Sequence, residues 1–212
     1  MTPSDPSGLT TEQSPARRVV AVGGLWMAAA IAVSLSGVLA PPQGAPPLRL
    51  FAAAGLPVLV FVLWYRSSTA FRRWILDLDL RLIVMLQAWR VIGGVFLVLL
   101  AFGLLPALFA WPAGLGDIAI GLTAPLVALA LWRRPAWATG RGFLAWNLLG
   151  LHDFGVAIAT GTLASGLFPG LVQGATAGAM NVWPLSIIPG FLVPFFAILH
   201  LVAILQARAR AA

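Results

Sequence analysis

The sequence predicts an all-α integral membrane protein, a bundle of six transmembrane helices with both termini cytoplasmic. Three observations carry that expectation. Of the 212 residues, 60% are hydrophobic and only 9% are charged, whereas soluble globular domains carry about 25% charged residues. The apolar residues are gathered into six runs, each long enough as a helix to cross a hydrocarbon core about 30 Å thick. The charges that remain are mostly arginines at the ends of these runs, biased to one side.

Taken in order, residues 1–18 are rich in Ser, Thr and Pro, lack apolar periodicity, and read as a disordered cytoplasmic tail. Arg17 and Arg18 lead into the first span, 19–40, which the proline-rich link 41–47 cannot continue as a helix. The second span, 48–65, ends in Trp64, Tyr65 and Arg66, an aromatic and basic interfacial signature. Residues 69–81 alternate charge with bulky apolar groups and read as an interfacial helix, on which Arg73, Asp77 and Arg81, four apart, can pair.

Spans three to five are expected at 82–105, 113–132 and 142–164, with Arg133, Arg134 and Arg141 between the last two. Residues 165–183 form a Gly-rich, uncharged loop whose re-entrant character the sequence leaves open. The sixth span, 184–206, holds Pro189 and Pro194, which predict a kink in its first half. Residues 207–212 read as a second cytoplasmic tail.

Orientation follows from the arginines. With both termini inside, eleven arginines face the cytoplasm, Arg49 alone lies outside, and Arg90 is within the membrane. The expected location is therefore a bacterial inner membrane. The net charge of +7 is scattered in ones and twos, which fits membrane orientation and not a nucleic-acid surface. All thirteen basic residues are arginine and there is no cysteine, so a lysine Schiff base, disulfides and thiolate metal sites are excluded.

Charged groups at membrane depth are costly and point to function. At about 1.5 Å per residue, His200 lies about 9 Å from the cytoplasmic end of its span, Arg90 about 12 Å, His152 about 15 Å and Asp153 about 16 Å. Asp117 lies only about 6 Å from the outer end of span four, counted from residue 113. In span three, Gln87, Arg90, Gly94 and Ala101 share a face. In span four, Gly114, Asp117, Gly121, Ala124 and Ala128 do, and in span five, Gly150, Asp153, Ala157, Thr160 and Ala164. Each charge thus lies on a small-residue stripe where helices approach.

The expectation is an ion-pair or relay cluster of Arg90, Asp153 and His200, supported by Gln87 and Asn147. Asp117 is expected as a separate outer-side polar site, stabilised by a helix N-terminus. Around the two aspartates the chain repeats itself, Gly114-Leu115-Gly116-Asp117 against Gly150-Leu151-His152-Asp153, on consecutive and oppositely directed spans. Most tryptophans mark interfaces, and Trp89 and Trp146 are expected near the polar cluster.

No Walker loop, HExxH, nucleophile elbow or dinucleotide fingerprint is present, which disfavours an enzyme. The Trp and Pro content resembles the tryptophan-rich sensory (translocator) family in composition, but helix count and motif order do not follow it and no activity is carried over. The leading functional expectation is a small transporter or channel for protons or a small solute. One alternative is an electron-transfer protein holding a b-type haem through His152 and His200; another is a structural or accessory protein without transport. Expected partners are the lipid bilayer and protons or a small solute, with homo-oligomerisation left open.

Overall fold

The computed structural model describes residues 15–42 and 45–211. The tail expected at 1–18 lies outside them as far as residue 14, and from Pro15 the chain is helical. The order is α1 (Pro15–Leu35), α2 (Leu48–Ser67), a short α3 (Thr69–Asp77), and then a continuous rod, Leu80–Ala101. That rod consists of α4 (Leu80–Leu86), a 3-10 stretch Gln87–Gly94 and α5 (Val95–Ala101). There follow α6 (Ala107–Arg133), α7 (Arg141–Leu163), and a π-helical turn Ile188–Leu192 running into α8 (Val193–Ala211). No strand occurs among the described residues. Six of these helical units are long and apolar enough to cross a membrane, and large apolar side chains such as Leu25, Leu63, Leu122 and Leu126 cover the outside. Such an outer surface fits a membrane protein.

Several boundaries differ from expectation, each for a local reason. Span three ends at Ala101 and not 105 because Gly103, at φ +67°, closes it. The N–H groups of Gly103 and Leu104 turn back to Leu100 O and Leu99 O at 2.9 and 2.8 Å, satisfying carbonyls the helix leaves open. The next helix starts at Ala107, six residues before the expected 113. Pro112 lies inside its first two turns, where a missing N–H removes only one hydrogen bond.

The interfacial helix expected over 69–81 breaks in two. Leu78 is extended (φ −62°, ψ 145°), and Asp79 caps α4 by accepting the Arg81 N–H. Arg81 therefore bridges Asp79, at 3.1 Å, and not Asp77 four residues back. At the C-terminus α8 runs on to Ala211, with Gln206 and Ala207 buried and 208–211 exposed. Gln206 Nε2 donates to Ile75 O and Leu78 O at 2.8 and 2.9 Å, covering the open carbonyl end of α3. Of the two prolines at which a kink is expected, Pro189 lies in the π-helical turn and Pro194 in the first turn of α8.

The rod and α6 meet backbone to backbone. A Cβ added at Gly121 would lie 2.6 Å from Val91 N and 3.2 Å from Ala88 O, so the crossing tolerates no side chain there. Ala113, Ala124 and Ala128 are buried along the same stripe, the small-residue packing that lipid favours. By contrast α1 is peripheral. Its contacts include the Trp26 ring, 4.6 Å from Phe191, a buried hydrogen bond between Ser34 and Ser186, and Val19 against the core.

Candidate functional site

The 3-10 stretch sets the site. With three residues per turn, side chains at i and i+3 eclipse one another, so Gln87, Arg90 and Gly93 stack on one buried face. An α-helix would have turned Gly94 toward that face, as expected from the sequence; the tighter winding brings in Gly93. A Cβ at Gly93 would overlap the Asp117 carboxylate, one at Gly116 the Asp153 carboxylate, and one at Gly150 the His200 imidazole. Three glycines thus vacate the space that three polar side chains occupy.

Arg90 is completely buried and is the hub. Its Nε donates to Asp117 Oδ1 at 2.7 Å, and its Nη2 donates to Asp153 Oδ2. Its Nη1 reaches Gly150 O at 3.2 Å and His200 Nε2 at 3.1 Å, and its Cζ lies 4.0 Å above the Phe154 ring. A guanidinium only donates, so His200 Nε2 must accept, and the ring carries its proton on Nδ1. That N–H meets Asn147 Oδ1 at 2.9 Å, while Asn147 Nδ2 donates to Phe143 O at 2.9 Å. The imidazole is neutral in this arrangement. One cation therefore faces two carboxylates, a net charge of −1 when both are ionised.

The structure brings Arg90, Asp153, His200 and Asn147 into one network. Gln87 shares the face of Arg90 but bonds elsewhere, donating from Nε2 to Phe196 O at 3.1 Å. Asp117 is the main correction: it is not a separate outer site but the second counter-charge of Arg90. Because α6 begins at Ala107, Asp117 lies ten residues in, about 15 Å from the helix end, level with the other charges. The two Gly-x-x-Asp copies clasp one guanidinium from two helices.

A bis-histidine haem does not fit these residues. His152 is exposed on α7, whereas both ring nitrogens of buried His200 are hydrogen-bonded. Among the described residues no group of three or more His, Cys, Asp or Glu could hold a metal ion. Trp146 adjoins the network, its ring 5.4 Å from His200 and its Nε1 donating to Thr123 Oγ1 at 2.9 Å; Trp89 is exposed.

Asp117 and Asp153 also line a cavity of about 90 Å³ with Phe51, Phe96, Phe109, Phe154 and Asn181. The sequence reading missed Phe154, Gly93, Gly116 and Asn181. The glycines carried a signal, since each precedes or opposes a charge on a small-residue stripe. The loop that holds Asn181 had none.

The fold and site define an all-helical protein with six membrane-length helices around a buried, doubly countered arginine. The chain belongs to the family described as Domain of unknown function (DUF8737), which matches residues 47–208. That range takes in every residue of the cluster and leaves out α1. No curated protein and no solved structure matches the chain.

Proposed function

We propose that the protein is a small inner-membrane transporter, with both termini cytoplasmic, that moves protons or a small cation through Asp117 and Asp153. One observation carries the reading: Arg90 is a single cation between two carboxylates that both line a cavity. A buried surplus of one negative charge is unfavourable in hydrocarbon unless a proton or another cation balances it. Taking up and giving off that cation is what a carrier site needs to do. The two Gly-x-x-Asp copies on consecutive helices suit an inverted-repeat design, with the working groups near the membrane middle. The arginine asymmetry supports the orientation.

The test is proton uptake by proteoliposomes loaded with a pH-sensitive dye and polarised with potassium and valinomycin. The wild-type protein should acidify the lumen faster than protein-free vesicles do. Asp153→Asn, which keeps the shape and an acceptor oxygen, should insert and fold but abolish flux. Full flux in that variant would sink the assignment of Asp153. Wild-type rates no greater than those of empty vesicles would remove the proton as the transported ion.

A further inference from the structure

Asn181, in the 3-10 turn Ala177–Asn181, lines the same cavity as the two aspartates. It is only 3% exposed, and its Oδ1 has no hydrogen-bond partner. Its Nδ2 donates to Gly178 O at 3.1 Å. A carbonyl can only accept, so that contact fixes the amide's direction and leaves the oxygen as the bare end. Buried acceptors without donors are rare in folded chains and call for a partner from outside. Aromatic and aliphatic side chains, Phe51, Phe96, Phe109 and Ile188 among them, make up most of the remaining wall. The cavity of about 90 Å³ has room for roughly six water-sized groups at about 15 Å³ each.

We propose that this cavity binds a small primary ammonium ion with a short apolar body and a hydroxyl at its far end, a short amino alcohol by chemical class. The ammonium lies against Asp117 and Asp153, the aliphatic chain passes between the phenyl rings, and the hydroxyl donates to Asn181 Oδ1. The proposal rests on the transport reading in taking the two carboxylates as the working pair. It also predicts what is refused. A diammonium ion brings one charge more than the site can balance, a neutral alcohol leaves the surplus negative charge unmet, and a carboxylate adds to it.

The test is isothermal titration of the purified full chain in detergent at neutral pH. The probes are 4-hydroxybutylammonium, butylammonium, butane-1,4-diammonium and 1-butanol. Both monoammonium ions should bind saturably, the hydroxylated one about fivefold more tightly, the worth of one neutral hydrogen bond. The other two probes should not bind. Asn181→Ala should erase the fivefold ratio, and Asp153→Asn should remove binding of both ammonium ions. Ala157→Leu, which fills the cavity from α7, should block all binding.

The proposal is overturned if folded wild-type protein takes up neither ammonium ion, if 1-butanol binds as well as they do, or if Ala157→Leu binds normally. Proton flux measured in parallel separates the two readings. Flux without ammonium binding removes this inference and leaves the transport reading standing. Ammonium binding without flux of proton or ammonium removes transport and leaves a binding site.

Discussion

Two arginine–aspartate bridges of the same chemistry lie in opposite surroundings. Arg81 and Asp79 are two residues apart, with side chains 52% and 50% exposed. Arg90 is 0% exposed, and its partners lie 27 and 63 residues away at 16% and 12%. The first pair is a local device: Asp79 caps α4, and Arg81 folds back on the capping carboxylate. Water screens it, so its direct worth is small. The second ties the rod, α6 and α7 together where water cannot substitute for a lost partner. Sequence distance and burial, not the residue types, separate a cap from a core.

Removing the buried cation should give the largest effect. Arg90→Met leaves two carboxylates without a counter-charge and is expected to destabilise by about 3–5 kcal/mol. Thermal unfolding in detergent would show it as a large fall in Tm and yield. Adding Asp117→Asn and Asp153→Asn to the same chain should recover much of the loss, because no uncompensated charge then remains. An Arg90→Met protein as stable as wild type would erase the contrast between the two bridges.

Sterics give the next effect. Gly150→Ala puts a methyl into the His200 ring, and overpacking of this kind costs about 1–3 kcal/mol. It should also break the contact of His200 with Arg90, visible as a changed histidine ring signal by NMR. Gly155, five residues on in the same helix, has nothing within 4 Å of an added Cβ. Gly155→Ala should leave the histidine signal alone and stabilise α7 slightly, by up to about 1 kcal/mol from helix propensity.

The exposed bridge should give the smallest loss. Asp79→Ala removes a helix cap worth about 1 kcal/mol. Hydrogen bonds from the Arg81 side chain and backbone hold the Asp79 carboxyl below its ordinary range. A depressed folded pKa means the contribution is full above the unfolded value, about 3.9, and is lost as pH falls through the lower folded value. Thermal scans should therefore show no Asp79-dependent change from pH 5 to 8 and a small one below about pH 4. An Asp79→Ala effect equal to that of Arg90→Met would overturn the ranking.

What the sequence determined by itself was the class of the molecule. Six apolar runs and 9% charged residues leave little choice but helices with apolar outer faces, since a backbone in lipid must satisfy its own hydrogen bonds. The nearness of Arg90 to Asp153 was legible too, because two opposite charges at similar depth on small-residue faces are costly apart. The place of Asp117 was not. Its expected depth rests on a span that starts at residue 113, whereas α6 starts at Ala107; each residue of error moves a side chain by about 1.5 Å, and a six-residue error turned a central group into a peripheral one.

Other features were settled only by the tertiary structure. The 3-10 winding at Gln87–Gly94, the contact of Gly150 with His200 and the burial of Asn181 depend on which helices are neighbours and how closely their backbones approach. Local residue patterns carry the period and the length of a helix. They do not carry the partner it meets, and the site between Arg90, Asp117 and Asp153 exists only where three such helices cross.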